Sequence, residues 1–212
     1  MTAQLVSRLA RHGDEAPIAA FVTLERRADA RTAIVPLSES EMLNKMILRN
    51  FARDVPASEI LARLHALVTD APCFRLIYSD VHRAATLLRD VFRHWPERRR
   101  VDGTAAAPPI AIDPPAGGDG AAGGHLTRTP EVREKAVGEE LFLVDPDDQS
   151  IHRLSAVGAA LWRLLARPCH FEDAVDVLHQ AFPKVERARI HKDVRALVAG
   201  LEKRGLLSTD SG

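Results

Sequence analysis

The residues best able to bind a metal or act as nucleophiles are two cysteines and nine histidines, and their spacing argues against both uses. Cys73 and Cys169 are too few for a disulfide framework or a cysteine-rich zinc site. Each lies near a proline and an aromatic residue, the setting of a buried free thiol. His12, His65, His82 and His94 fall on different elements, with no pair at i, i+4. His152 and His191 have no further ligand at metal-like spacing. Asp80 and His82 are close in sequence, but Asp80 is more simply used as a helix N-cap. Residues 1–100 contain no Gly-rich phosphate loop, nucleophile elbow or paired catalytic carboxylates. The expectation is a protein with no catalytic residues, no metal site and no cofactor.

The chain of 212 residues is long enough for two small domains. Its composition, 46% apolar and 27% charged, is that of a soluble globular protein. No apolar window is long enough to span a bilayer. Arg8, Arg11, Asp14 and Glu15 interrupt the N-terminus before a signal-peptide core could form. A cytoplasmic protein without membrane association is expected. The 29 basic and 29 acidic residues balance. Residues 1–104 carry 16 Lys or Arg against 13 Asp or Glu, and residues 126–212 carry 13 against 14. Neither half has the basic excess with which nucleic-acid binders replace counterions, so no nucleic-acid partner is expected.

Between Arg100 and Leu126 the chain is built from Ala, Gly, Pro and Asp. Such a run cannot bury enough apolar surface to offset its ordering entropy and reads as a flexible tether over 101–125. It separates an N-terminal domain, 1–100, from a C-terminal one, 126–209. In the first, Ile18–Leu24 and Thr32–Leu37 read as strands around the polar turn Arg26–Asp29. Ser38 and Glu41 fit a capping box for a helix to about Arg53. A second helix spans about 57–68, Cys73–Tyr78 reads as a strand, and a third helix follows Asp80 to about His94. This half is expected to be mainly helical and of unknown type. Its basic cluster Arg98-Arg99-Arg100 reads as a solvated helix end.

The C-terminal half is more explicit. Leu141–Val144 is an apolar strand, Asp145-Pro146-Asp147-Asp148-Gln149 is turn chemistry, and Ile151–Leu154 resumes with alternation. Val132–Val137 reads as an earlier strand. Three helices follow, about 156–166, 172–181 and 186–204. Pro168 and Pro183 stop the first two, and Gly205 is placed as the left-handed residue after the third. The expected fold class is α+β: a winged-helix-like C-terminal domain, with a small antiparallel sheet before three helices, tethered to the mainly helical N-terminal domain.

The residues Gly138, Leu141-Phe142-Leu143-Val144-Asp145-Pro146 and Ile151-His152-Arg153-Leu154-Ser155-Ala156-Val157-Gly158-Ala159-Ala160-Leu161-Trp162 carry a resemblance. With Phe171–Leu178, Asp193-Val194, Leu197-Val198, Leu201 and Gly205-Leu206-Leu207, this line resembles the pyrroloquinoline quinone biosynthesis protein D family. That family supplies recognition elements for ribosomally made, modified peptides. The resemblance spans about 126–208 and says nothing of residues 1–100. Ser155 stands where the family often has Asn, and His170 where a Ser or Thr cap is usual. It implies a protein that binds the leader of a precursor peptide and presents it to a modifying enzyme, by strand addition to a sheet edge. The matching positions are Ile151, His152, Arg153 and Leu154 on the strand. On the third helix they are Arg187, His191 and Arg195 on one face, with Ile190 and Val194 as groove floor. Two alternatives stay open. One is a winged-helix DNA-binding regulator reading with Arg187, Arg189, Lys192 and Arg195. The other is a small enzyme in 1–100 targeted by the C-terminal domain.

Overall fold

The computed structural model describes residues 17–50, 52, 54–93 and 125–210. Residues 101–124 of the expected tether, His12, His94 and Arg98-Arg99-Arg100 lie outside the described residues. The architecture is mixed α and β, with six helices and three small sheets among the described residues. The chain divides into two compact units. Residues 37–69 belong with those after 100, while 70–99 belong with 1–36. The division therefore falls at the ends of a helical excursion as well as near the tether.

The first unit holds β1 (Phe21–Arg26), β2 (Ala33–Pro36) and β3 (Cys73–Tyr78) in the order β1-β3-β2. The central β3 runs parallel to β1 and antiparallel to β2. Helix α3 (Val81–Arg93) follows β3 and meets it through Phe92, edge-on to Phe74 at 6.4 Å. Asp80 caps α3 as expected, its carboxylate accepting the Arg83 amide at 2.8 Å.

The second unit begins with α1 (Glu39–Ile47) and α2 (Ala57–Asp70, of which Asp70 falls in the first unit). Ser38 caps α1 by accepting the Glu41 amide at 3.2 Å. The helix ends at Ile47, short of the expected Arg53: the Arg49 and Asn50 amides turn back to the Met46 and Ile47 carbonyls in three-residue steps. After residue 124 come β4 (His125–Arg128), β5 (Arg133–Val137), β6 (Glu140–Val144) and β7 (Ile151–Leu154). Then follow α4 (Ala156–Leu164), β8 (Cys169–His170), α5 (Phe171–Ala181), α6 (Arg187–Glu202) and β9 (Leu207–Asp210). The strands β5-β6-β7 form one antiparallel sheet and β8-β4-β9 another.

Strands β4, β8 and β9 were not expected from the sequence. The segment from His125 read as the end of a tether, and Leu206-Leu207 only as residues packing back. Here β4 is the central strand of its sheet, and Leu126, 1% exposed, joins the core. Gly205 does take the left-handed conformation, φ +66°, and the Leu206 amide returns to the Leu201 carbonyl at 3.0 Å.

The main core lies between one face of β5-β6-β7 and helices α4–α6. Leu141, Leu143 and Leu154 from the sheet meet Leu161, Trp162, Val175, Leu178, Ile190, Val194 and Leu201. Trp162 is 1% exposed, and its indole N–H donates to Glu134 at 2.7 Å. The Arg128 guanidinium stacks 4.6 Å from its ring and donates through Nε to its carbonyl at 2.9 Å, with burial lowering the arginine's pKa.

Successive strand residues point to opposite faces, so Phe142 and Val144 leave this core on the far side of the sheet. They are buried nevertheless, Phe142 completely. Residues 37–69 lie on that side. Lys135 and Arg153 flank Phe142 in register across the sheet. The charge of Lys135 reaches His65 on α2, and that of Glu41 on α1 reaches Arg153. The sheet is therefore covered on both faces, which leaves its two edge strands, β5 and β7.

Candidate functional site

The hairpin joining β6 to β7 is held from within and from outside. Within it, the Asp148 amide donates to the Asp145 carbonyl at 3.0 Å, and the Asp145 carboxylate accepts the Gln149 and Ser150 amides at 2.8 and 3.1 Å. Asp148 takes φ +56°, a left-handed conformation that Asp tolerates better than most residues. From outside, Asp148 caps α2 across the fold. Its carbonyl accepts the Ala57 amide at 2.9 Å, and its carboxylate accepts the Ser58 amide and hydroxyl at 2.6 and 2.7 Å. Arg133 closes the cluster at 2.7 Å from both the Asp148 carboxylate and the Ser58 hydroxyl.

These bonds to Ser58, followed by Arg133, hold the Asp148 carboxyl below the usual carboxylate range. A depressed folded-state pKa contributes stability above the unfolded carboxylate pKa, and that stability is lost as pH falls through the folded value. Asp148→Ala is expected to lower the melting temperature at neutral pH. The gap from the parent protein should close as the solution is acidified into and below the carboxylate range. Thermal unfolding followed by circular dichroism across that range checks this, and a gap independent of pH would contradict it.

Among the described residues strand β7 pairs with β6 on one side only. The hairpin closes with the Asp145 amide donating to the Ser150 carbonyl at 3.2 Å. Antiparallel ladders alternate, so Leu143:His152 and Leu141:Leu154 are the hydrogen-bonded pairs that follow. Ile151 and Arg153 therefore aim their amides and carbonyls away from the sheet. The Arg153 side chain is committed elsewhere, forked onto both oxygens of Glu140, which raises its pKa. Leu154 is buried in the core.

The expected helix residues divide between two environments. Ile190 and Val194 are core residues, 5% and 1% exposed. Arg187, His191 and Arg195 do share a face of α6, and that face lies against the start of α5. Arg187 donates to Asp176 and Glu172 at 2.8 Å each. His191 stands 3.3 Å from Glu172 and edge-on to Phe171 at 5.1 Å, and the Arg195 guanidinium lies 5.8 Å from the same ring.

About a third of a turn round α6 from His191, Leu197 approaches the end of β7 instead. Leu154 and Leu197 both lie within 3.6 Å of the point a Cβ on Gly158 would occupy. Arg204 is near enough to His152 to help lower its pKa, second to burial and against the opposing pull of Asp145. The meeting of Leu197 with Leu154 was not legible because periodicity shows which residues share a face, not what that face meets.

Ser155 caps α4, accepting the Gly158 amide at 3.4 Å, whereas His170 precedes α5 without a side-chain cap bond. Among the described residues no group of three or more His, Cys, Asp or Glu could hold a metal, and no helix is long and apolar enough to cross a membrane.

Comparison with known proteins bears on this half of the chain. Residues 140–207 match the family model of coenzyme PQQ synthesis protein D (PqqD), so this segment is PqqD-like, as its motifs indicated. Among solved structures, "TbiB1 in Complex with the TbiA(beta) Leader Peptide" is similar at 26% identity. The match covers 39% of this chain and 94% of that one, with a TM-score of 0.36. No curated protein matches the chain.

Proposed function

We propose that this protein binds the leader segment of a ribosomally made precursor peptide by strand addition at β7 and presents it to a modifying enzyme. The observation that carries this is the edge of β7, whose Ile151 and Arg153 backbone groups point outward from a sheet covered on both faces. An unpaired edge binds an extended chain through main-chain hydrogen bonds, and the flanking walls select side chains. The PqqD family model over 140–207 covers β6, β7 and α4–α6, the elements that build this edge and its wall. In this reading β5–β7 with α4–α6 serve as a winged-helix-like recognition domain, and the β1-β3-β2 unit is left to engage the enzyme or the rest of the precursor. DNA binding through α6 has less support, because Arg187 faces two carboxylates and Arg189 lies 3.9 Å from Asp193.

The test is titration of the full chain into fluorescently labelled leader peptides from small reading frames encoded beside this protein, followed by anisotropy. Micromolar or tighter binding that weakens by roughly 10- to 100-fold in a folded Ile151→Pro variant is expected. Absence of binding to every such peptide would overturn the proposal.

A further inference from the structure

The β1-β3-β2 sheet has two edges, and they differ. The Phe21 amide donates to the Pro72 carbonyl and the Arg27 amide to the Tyr78 carbonyl, both at 2.9 Å. Alternate residues of a strand turn to a given neighbour, so Phe21, Thr23, Glu25 and Arg27 bond to β3. Val22, Leu24 and Arg26 aim their amides and carbonyls outward, and among the described residues no strand meets them. On β3 the same alternation turns Arg75 and Ile77 to β2, where they pair with Val35 and Ala33. Ile34 and Pro36 are then the outward residues of β2, and Pro36 has no amide to offer. Proline so placed guards an edge against further pairing. Strand β1 has no such guard. It runs for six residues without a proline, against four in β2. Phe74 faces α3, so Leu76 and, in register with it, Leu24 lie on the α3 side of the sheet. The helix packs on β3 and β2, and Leu24 on β1 is 65% exposed.

We propose that β1 is a dimer interface, which pairs antiparallel with β1 of a second copy of this chain about a two-fold axis at Leu24. That axis sets Leu24 against the partner subunit's Leu24, Val22 against the partner's Arg26, and Arg26 against the partner's Val22. Every outward amide and carbonyl of β1 is then paired, and the two exposed leucines cover one another. On the other face Thr23 stands opposite the partner's Glu25, and Phe21 opposite the partner's Arg27, a cation beside an aromatic ring. No two like charges are directly opposed. The two Glu25 carboxylates approach on the diagonal, and each is bound by its own Arg27 at 2.6 Å and Arg75 at 3.6 Å. A second copy fits this edge because one two-fold satisfies the main chain, the exposed leucine and the charges together. The joined sheet runs β2-β3-β1-β1-β3-β2, and its outer edges are the short strands that carry Pro36, so assembly stops at two. The dimer carries two β7 edges.

Analytical ultracentrifugation of the full chain over a concentration series tests it. A reversible dimer with a dissociation constant of roughly 1–100 µM is expected, as for a small interface. Leu24→Lys sets two ammonium groups together on the axis and should raise that constant by about 100-fold. The side chain is exposed, so the variant should keep its fold, which circular dichroism checks. Leu24→Cys reports the register. Directly opposed Cα atoms about 5.5 Å apart suit a disulfide, so this variant should be trapped as a covalent dimer on mild oxidation. The parent protein, with Cys73 and Cys169 alone, should not be. A parent that stays monomeric up to about 100 µM would overturn the proposal. So would a dimer that Leu24→Lys leaves intact, or one that oxidised Leu24→Cys fails to trap. Leader binding at β7 is measured separately, and it stands or falls independently of these outcomes.

Discussion

Replacing Ile151 with proline is expected to weaken leader-peptide binding by roughly 10- to 100-fold, the loss of a main-chain hydrogen bond together with the intrusion of a ring into the docking edge. The protein should stay folded. The Ile151 amide points away from β6, so its removal costs the hairpin no ladder bond, and proline is tolerated at sheet edges where the missing N–H faces solvent. His152→Pro supplies the contrast. That amide faces Leu143, and its loss removes a hydrogen bond of the β6–β7 ladder and puts a proline ring against β6. Anisotropy and thermal melting on the two variants should separate cleanly: binding lost with folding kept at 151, both lost at 152. If Ile151→Pro bound as tightly as the parent, peptide docking would not use this edge.

The second large effect concerns stability. Phe142→Ala is expected to cost about 3–5 kcal/mol, as for a large aromatic removed from a packed interior, comparable with Leu143→Ala at about 2–5 kcal/mol. The two residues are neighbours on β6 and point to opposite faces, yet both are 0% exposed. In a sheet covered only by α4–α6, Phe142 would face water and its truncation would cost little. Urea unfolding of both variants in the full chain decides the matter, and a cost below about 1 kcal/mol at 142 would mean that residues 37–69 do not seal the outer face. A fragment beginning at 126 would lack that cover. It should expose Phe142 and Val144, melt below the full chain and self-associate.

The sequence disclosed elements whose signals are local. The alternation of Ile151–Leu154, the turn chemistry from Asp145, Pro183 after α5 and Gly205 after α6 each act within a few residues, and the hairpin and three helices stand where those signals put them. Strands β4, β8 and β9 were not legible. They are two to four residues long and are stabilised by partners far along the chain, as when His125 pairs with both His170 and Asp210. The reach of α2 into the C-terminal half was hidden for the same reason, since Ser58 and Asp148 are 90 residues apart. At the candidate site the strand residues were legible and the helix wall only in part. The i, i+4, i+8 spacing puts Arg187, His191 and Arg195 on one face, but the carboxylates that engage Arg187 and His191 come from α5.

The capping of α2 by Asp148 also bears on the order of synthesis. When a ribosome has released residues 57–70, the amides of Ala57 and Ser58 have no acceptor, and the apolar stripe of Leu61 and Val68 has no sheet to lie on. Both arrive only after some 90 further residues have been made. At elongation rates of about 5–20 residues per second that is an interval of several seconds. During that time the helix is a nascent, sticky segment waiting for the far half of its own chain, a window in which a chaperone can engage it first.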